Sequence, residues 1–207
     1  MKKFAVNEVF YSLQGEGGRA GEASVFVRLQ GCNLRCDIEE GPLSPGGWRC
    51  DTEFESGRLL TGDELVEEIG RVGGACRWIV FTGGEPALQL NKDADALLAA
   101  LKDRGYRLAI ETNGTVALPD GMFDWITVSP KTAEHTLRQL TASEVKYVRH
   151  HGQGVPHTRV KSPLRYLSPA FEGSTVDRSV LTWVIGLCKE HADWRLSVQQ
   201  HKWWGVR

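Results

Sequence analysis

Short apolar runs alternate along the chain with longer segments whose apolar residues recur at helical spacing. Two of these segments, 61–74 and 91–105, predict helices, and each opens at a residue typical of helix caps, Thr61 and Asn91. A third helix is predicted over 174–191, where valine, tryptophan and leucine recur on one face. The runs that predict strands are 4–10, 24–30, 77–82, 106–111, 125–128, 144–148, 164–168 and 194–199.

This alternation favours a parallel sheet covered by helices and joined by right-handed crossovers. The links 112–124 and 129–143 are too short or too irregular to hold a full helix. We therefore predict a single α/β domain over residues 1–207, built as an abbreviated, open barrel rather than a closed eightfold one.

Composition and charge exclude several classes of protein. The chain has 207 residues, 41% of them hydrophobic and 25% charged, with a formal net charge of -1. No global basic field indicates direct contact with nucleic acid or an anionic membrane. Asn7 and Glu8 interrupt the N-terminus where a signal peptide needs an apolar stretch, and no run of 18 apolar residues occurs. We expect a cytoplasmic protein, in which clustered thiols are metal ligands or redox groups rather than disulfides.

Polar turns follow three of the predicted apolar strands. They lie at 83–86, 111–114 and 129–131 and carry glycine or proline. Ordinary turn chemistry explains any one of them. Together they predict one shared site, because ligands of parallel α/β folds bind at the carboxyl ends of the strands.

Three of the five cysteines lie in the cysteine loop, residues 31–54. Three residues separate Cys32 from Cys36, and thirteen separate Cys36 from Cys50. Three thiolates are one ligand short of a closed tetrahedral site. The spacing alone leaves open an iron–sulfur cluster with one free iron, a catalytic zinc ion, or thiols that bind nothing.

The motifs resemble those of the radical S-adenosylmethionine (SAM) superfamily and, more narrowly, the 7-carboxy-7-deazaguanine synthase family. In chain order they are NEVFYSLQGEG, VFVRLQGCN, CDT, TGGEP, ETNG, SPK and SVQQHK, spanning residues 7–202. The resemblance implies a (β/α)6-type partial TIM barrel with reduced helices and an expanded cluster loop. It also implies conversion of 6-carboxy-5,6,7,8-tetrahydropterin into 7-carboxy-7-deazaguanine with loss of ammonia, on the route to queuosine and related 7-deazapurines.

The resemblance implies that Cys32, Cys36 and Cys50 hold a 4Fe–4S cluster whose fourth iron is chelated by SAM. The chain departs from the common spacing, in which two residues separate the second and third cysteines. Glu39 stands where that third cysteine would fall, yet the Asp-Thr pair follows Cys50, so we align Cys50 with the third ligand. The segment 41–47 is turn-forming and can return Cys50 to the cluster. Glu39 as an oxygen ligand is the alternative, although a hard carboxylate suits such a cluster poorly.

The resemblance also implies the residues that bind SAM. Glycine in the turn after residue 82 lets backbone approach the methionyl group closely. The predicted residues are Gly84, Ser129, Pro130, Lys131, Ser168, Pro169, Ala170 and Phe171. Glu111 is a candidate partner of the ribose, with a solvated carboxylate at a strand end as the alternative.

A further set of residues is predicted to bind the pterin substrate. Arg28 is a charge in mid-strand that suits bidentate recognition of the substrate carboxylate, and a buried ion pair with Glu16 is the alternative. His201 faces the substrate or is a surface histidine. The tail 200–207 closes the site through the terminal carboxylate of Arg207, or it frays. The full set is Leu13, Gln14, Gly15, Glu16, Arg28, Thr82, His201 and Arg207.

The resemblance implies three more partners. The hydroxyl of Thr52 is a Mg²⁺ ligand, which fits the preference of Mg²⁺ for oxygen and water. An electron donor such as flavodoxin or ferredoxin reduces the cluster, and the chain forms a homodimer. No side chain is predicted to act as a catalytic acid or base.

Two other functions stay open at this point. A radical SAM enzyme that activates a glycyl-radical partner protein carries a similar cluster, but it lacks the LQGEG and HK motifs. A zinc-stabilised interaction module predicts zinc in the purified protein and no cleavage of SAM.

Overall fold

The computed structural model of the chain describes residues 2–37, 39–41, 44, 50, 52–173 and 175–207. The strands in these ranges are β1 Lys3–Leu13, β2 Ala23–Leu29, β3 Arg58–Thr61, β4 Trp78–Gly83, β5 Arg107–Thr112, β6 Trp125–Val128, β7 Glu144–Arg149, β8 Leu164–Pro169, β9 Phe171–Glu172, β10 Thr175–Val176 and β11 Arg195–Leu196. The α-helices are α1 Gly62–Gly73, α2 Asp95–Asp103, α3 Arg178–Glu190 and α4 Gln200–Trp204. Among the described residues, no helix has the length and apolar character needed to cross a membrane.

The central layer is a mixed sheet of nine strands within the described ranges, in the order β3-β1-β2-β4-β5-β6-β7-β8-β11. Every pair from β2 to β11 is parallel, whereas β1 pairs antiparallel with both β2 and β3. Strands β9 and β10 form a separate hairpin. The α/β fold with a mostly parallel sheet and few helices is confirmed.

The sheet curves into an open barrel. The backbone N–H of Gly18, in the connection after β1, donates a 2.7 Å hydrogen bond to the Glu144 carboxylate on β7. β7 is five strands from β1 in the sheet order, about 24 Å away in a flat sheet with strands about 4.8 Å apart. The contact therefore requires strong curvature, while β3 and β11 stand at the two open ends of the order.

Hydrophobic cores cover both faces of the curved sheet. Side chains on the outer face pack against α1 and α2 at one end and against α3 at the other. The inner face holds a smaller cluster of Phe10, Phe26, Val80 and Ala109, in which the two phenylalanine rings stack with centroids 5.1 Å apart. Successive residues of β2 thus alternate between the two cores, as the period-two geometry of a strand dictates.

A β-bulge in β1 changes which residues of that strand face inward. Val6 pairs with Leu29 but Glu8 pairs with Arg28, so the register shifts by one residue at Asn7. Before the bulge, Val6 belongs to the outer core; after it, Phe10 belongs to the inner cluster. The bulge therefore turns Glu8 toward the same side of the sheet as Phe10.

Most predicted elements are present, although several have different bounds and β3 was not predicted. The capping box of α1 forms as predicted between Thr61 and Glu64. The predicted helix 174–191 was wrong at its start, because Asp177 caps α3 and the preceding residues pair in the β9–β10 hairpin. The predicted strand 194–199 is shortened to β11, and the chain then forms the short helix α4.

Candidate active site

The cysteine loop is docked on the carboxyl ends of β4 and β5. The N–H of Glu85, just after β4, donates to the carbonyl of Gly31 at 2.8 Å. The side chain of Asn113, just after β5, donates to the Asn33 side chain at 3.1 Å. These bonds join the GCN, TGGEP and ETNG motifs at one edge of the sheet, as the shared-site prediction requires.

The three cysteines of the loop come together despite their spacing in sequence. The N–H of Cys50 donates to the carbonyl of Cys36 at 3.1 Å, so these two residues are neighbours although thirteen residues separate them in the sequence. The N–H of Leu34 donates to Cys32 Sγ at 3.3 Å. Burial raises the pKa of the Cys32 thiol, and the neighbouring charges of Cys36 and Cys50 raise it further.

The donor set fits a three-thiolate cluster. Thiolate sulfur is the usual ligand of such clusters, and backbone N–H groups that donate to it tune the cluster's potential. Within the described residues, no group of three or more His, Cys, Asp or Glu side chains is arranged to hold a single metal ion. A four-iron cube makes a different demand, because each thiolate binds a different iron. Glu39 is exposed, and the predicted turn at 42–43 and 45–47 lies outside the described residues.

Glu85 fixes the turn that follows β4, a role that the sequence reading missed. Its carboxylate is fully buried and accepts hydrogen bonds from the Thr112 hydroxyl at 2.7 Å, from Asn113 N–H at 2.6 Å and from Ala87 N–H at 3.0 Å. Burial raises the pKa of this carboxyl, against the effect of those bonds. The sequence signal for this role of Glu85 was a carboxylate directly after two glycines at the end of a buried strand.

The predicted SAM residues lie at the carboxyl ends of β4, β6 and β8. Ser129 follows β6 and donates its N–H to the Thr112 carbonyl at 2.8 Å, which ties the ends of β5 and β6 together. Lys131 donates to the Ser129 hydroxyl at 2.9 Å. Ser168 is buried near the end of β8, and Phe171 opens the β9–β10 hairpin. The structure shows that these residues lie along one edge of the sheet. Their contact with SAM stays a prediction.

The segment after β1 crosses the inner face of the sheet and brings predicted substrate residues together. The Gln14 side chain donates to Glu111 Oε1 at 2.9 Å, and the Thr82 hydroxyl donates to Glu111 Oε2 at 3.1 Å. The N–H of Glu16 donates to the Gln14 side-chain oxygen at 3.1 Å. Glu111 therefore joins two predicted substrate residues, rather than standing as a solvated carboxylate at a strand end.

Arg28 has a different partner from the one that the sequence suggested. Its Nε lies 3.0 Å from Glu8 Oε1, because the bulge in β1 places Glu8 directly opposite. The alternative ion pair with Glu16 was wrong, since Glu16 pairs with Lys146 instead. Arg28 lines an open cleft of about 480 Å³ together with Asn7, Glu8, Glu53 and Ser56.

Thr52 immediately precedes the turn that forms one wall of this cleft. Glu53 accepts hydrogen bonds from the N–H and hydroxyl of Ser56, from Glu55 N–H and from the Asn7 side chain. These bonds, led by that from the Ser56 backbone, lower the pKa of Glu53 to about 2. The turn is thus fixed around the charged carboxylate of Glu53. The role of the Thr52 hydroxyl as a Mg²⁺ ligand stays a prediction.

The C-terminal tail is docked rather than frayed. Gln200 donates its N–H to the Gly15 carbonyl at 3.0 Å, and a Cβ on Gly15 would lie 2.1 Å from His201 Nδ1. Glycine at this position is therefore what lets His201 pack there, so His201 is not a free surface histidine. Trp203 and Trp204 are 54% and 41% exposed, so burial of these rings is not what holds the tail.

The last residue is held at two points. The carbonyl oxygen of Arg207 accepts a 2.7 Å hydrogen bond from the Ser12 hydroxyl. Its guanidinium lies 2.7 Å from Glu8 Oε2, so Glu8 is a counter-ion for both Arg207 and Arg28. Both guanidiniums also lie over the Phe10 ring, at 5.3 and 5.8 Å from its centroid. The terminus thus lies beside the cleft, as the prediction of a closing tail requires.

A second cavity, of about 470 Å³, lies on the outer side of the sheet along α3. It is lined by His151, Arg178, Ser179, Thr182, Trp183, Gly186, Leu187 and Glu190. None of the predicted site residues lines it, whereas Arg28 lines the cleft beside β1, so this cleft and the strand-end turns form the candidate active site.

Comparison with known proteins shows similarity over most of the chain. The family model of the radical SAM superfamily matches residues 26–150. A 7-carboxy-7-deazaguanine synthase of Caulobacter vibrioides is 40% identical, covering 98% of this chain and 99% of its own, and one of Bacteroides thetaiotaomicron is 36% identical over 98% of both. The crystal structure of QueE from Escherichia coli superposes with a TM-score of 0.67 at 26% identity, covering 96% of this chain and 95% of that one.

These similarities extend over the whole chain and not only over its cysteine loop. They cover the strand-end turns and also the segment after β1 and the docked tail, which carry the LQGEG and HK motifs that a glycyl-radical activating enzyme lacks. The chain is therefore an enzyme of the radical SAM superfamily and belongs to the 7-carboxy-7-deazaguanine synthase family.

Proposed function

We propose that the enzyme converts 6-carboxy-5,6,7,8-tetrahydropterin into 7-carboxy-7-deazaguanine and ammonia, a step towards queuosine or related 7-deazapurines. One observation carries the proposal: the cysteine loop, the TGGEP turn and the ETNG turn are hydrogen-bonded to one another at the mouth of the barrel. The proposal places both the cofactors and the substrate beside these joined turns.

In this proposal Cys32, Cys36 and Cys50 hold a 4Fe–4S cluster and the strand-end turns hold SAM. When bound, these two cofactors supply one-electron chemistry that removes a substrate hydrogen atom which no side-chain base could take as a proton. The protein orients the reactants and keeps water out. Glu85 contributes by holding the TGGEP and ETNG turns at a fixed separation.

Substrate recognition follows from the charges around the cleft. A guanidinium bound to Glu8 through Nε can still offer both Nη groups to a second carboxylate, so Arg28 is suited to the substrate's carboxylate. Gln14, Glu16 and Glu111 supply acceptors for the N–H groups of the pterin edge. Arg207, which is bonded to Glu8 and Ser12, is a further residue proposed to contact the substrate.

The experiment that tests the proposal is anaerobic incubation of the reconstituted enzyme with SAM, the carboxytetrahydropterin and a reductant, followed by mass spectrometry. The expected result is the mass of 7-carboxy-7-deazaguanine, one ammonia per product, and neither when SAM is omitted. Cleavage of SAM without that product would leave the chain a radical SAM enzyme with a different substrate.

The proposed Mg²⁺ site at Thr52 has its own test. Replacement Thr52→Ala removes the hydroxyl oxygen, so the stimulation of turnover by added Mg²⁺ should fall while SAM binding persists. Thr52→Ser keeps the hydroxyl and is the matched control, with a response close to that of the wild type. An unchanged Mg²⁺ response in Thr52→Ala would remove this residue from the site.

Three further properties belong to the proposal. The enzyme takes its electrons from a small carrier such as flavodoxin or ferredoxin, works in the cytoplasm and forms a homodimer. Sedimentation of the purified protein tests the dimer, and reconstitution of turnover with each reduced carrier in place of dithionite tests the electron donor.

A further inference from the structure

Lys146 is a charged residue in the middle of β7 that none of the roles above uses. Its side chain is 9% exposed and forms an ion pair with Glu16, whose side chain is 10% exposed. Removing an ammonium and a carboxylate from water is costly, and breaking such a pair leaves an uncompensated buried charge. A buried ion pair is therefore weak evidence for stability, and its contacts point to another role for Lys146.

The pair is one end of a hydrogen-bonded chain across the mouth of the barrel. Glu16, paired with Lys146, donates its N–H to Gln14; Gln14 donates to Glu111. Thr82 donates to the other oxygen of Glu111. This series of hydrogen bonds thus connects β7, the segment after β1, β5 and β4. The residues between its two ends, Glu16, Gln14 and Glu111, are proposed to bind the pterin.

Most of the charged groups around Lys146 are carboxylates. Glu16, Glu111 and Glu144 approach from the segment after β1, from β5 and from β7 itself, and Tyr166 of β8 is the backbone neighbour of Lys146. Two other cations lie nearby: Arg19 is bonded to Glu22 and Ser24, with its guanidinium 3.6 Å from the centre of the Trp78 ring, and Arg195 of β11 donates to Tyr166. Lys146 is thus the cation that compensates Glu16.

We propose that Lys146 is a positioning residue for substrate binding, because its ammonium pairs with the Glu16 carboxylate and sets the Gln14–Glu16 segment in the geometry that receives the pterin edge. This inference rests on the proposed function. It assigns Lys146 no contact with SAM or the cluster.

Kinetics of a single and a double variant test it. Lys146→Met should raise KM for the carboxytetrahydropterin by about tenfold or more, since one buried partner is lost, while kcat at saturation changes by less than about threefold. Cleavage of SAM in the absence of substrate should be unchanged. The double variant Lys146→Met/Glu16→Gln removes both charges and should recover wild-type unfolding, but its KM should stay high because the acceptor carboxylate is gone.

A second readout uses pH. Burial lowers the pKa of Lys146 and the paired carboxylate of Glu16 acts against this effect, so the ammonium is lost at a lower pH than that of a free lysine. KM of the wild type should therefore rise as the pH increases through the alkaline range in which the ammonium is lost. Lys146→Arg keeps its charge at all these pH values, so the ratio of its KM to that of the wild type should fall as pH rises.

Direct binding gives a readout that does not depend on turnover. Calorimetry of 6-carboxypterin, a non-reacting analogue, on the reconstituted enzyme should show the same loss of affinity in Lys146→Met. Asp193→Asn is the control variant, because it removes one charge from the exposed Arg165–Asp193 pair on the far side of β8 and should change neither KM nor affinity.

The outcomes separate the two levels of the argument. If the wild type forms no 7-carboxy-7-deazaguanine, the proposed function is rejected and this inference with it. If the wild type does form product, a KM of Lys146→Met within about twofold of the wild-type value rejects the inference alone. Full recovery of KM in the double variant also rejects it, since Lys146 would then serve stability only.

Discussion

The close approach of Gly84 to the cysteine loop leads to the sharpest prediction. A Cβ at this position would lie 2.1 Å from the carbonyl oxygen of Gly31 and 2.6 Å from its carbonyl carbon. Both atoms are backbone, so no side chain can rotate away. The φ of Gly84 is not in the left-handed region, so Gly84→Ala acts through this contact alone. The loop that carries Cys32 must move.

The magnitude follows from the bonds that this movement breaks. Gly84 N–H donates to the Leu29 carbonyl at 3.1 Å, and Glu85 N–H donates to the Gly31 carbonyl at 2.8 Å. Losing both costs about 1 kcal/mol each. Overpacking in a region that cannot relax freely adds about 1–3 kcal/mol. Gly84→Ala should therefore lower the free energy of unfolding by about 3–5 kcal/mol.

Two measurements check this expectation. Urea unfolding followed by tryptophan fluorescence gives the change in free energy, and iron per chain after anaerobic reconstitution shows whether the displaced loop still gathers its thiols. Iron loading should fall well below that of the wild type. Gly186→Ala is the matched control, because Gly186 lies in α3 and no atom is within 4 Å of its Cβ position. It should be neutral or stabilising by up to about 1 kcal/mol.

The reasoning fails if Gly84→Ala unfolds and loads iron like Gly186→Ala. That result would mean that the TGGEP turn and the cysteine loop are not held together at this point. A loss of SAM binding with normal stability and full iron would instead assign Gly84 to the cofactor alone.

Two further predictions concern the cluster and the tail. Cys50→Ala should abolish cluster assembly, because Cys50 returns to Cys36, whereas Glu39→Ala should leave iron content nearly unchanged; equal loading of both variants would overturn the alignment of the loop. Glu8→Gln and Arg207→Ala change the charge of the site in opposite directions, yet each loosens the tail and should raise KM by about two- to fivefold. Opposite effects on KM would show that charge alone, not tail position, is what matters.

Much of the fold is readable in the chain because the elements carry local signals. The predicted strand 77–82 has a continuous apolar run over 78–81, as a strand covered on both faces must have, and the helix at 61–74 begins with its own capping box. Local sequence signals fail where the pairing of strands determines the secondary structure. Residues 174–177 fit a helical pattern, but pairing between β9 and β10 claims part of them, and Asp177 caps α3 instead.

The candidate site divides in the same way. Arg28 was recognisable because a charge in mid-strand needs a partner, but the identity of that partner depends on a bulge that shifts the register of β1. Lys146 carries the same mid-strand signal and was overlooked. Glu85 is part of the TGGEP motif, but its role could not be predicted because its hydrogen bonds go to Thr112 and Asn113, which are distant in the sequence.

The amino-acid sequence by itself determined the α/β class, the family and the residue types of the site, since these depend on periodicity and on motifs whose order is kept along the chain. Only the tertiary structure decided which charges meet. The curved sheet brings the segment after β1 onto β7 and seats the C-terminal residue beside Glu8. Such pairings join residues far apart in the chain, and the physical reason is geometric: strand register and sheet curvature set them, and no local preference encodes either.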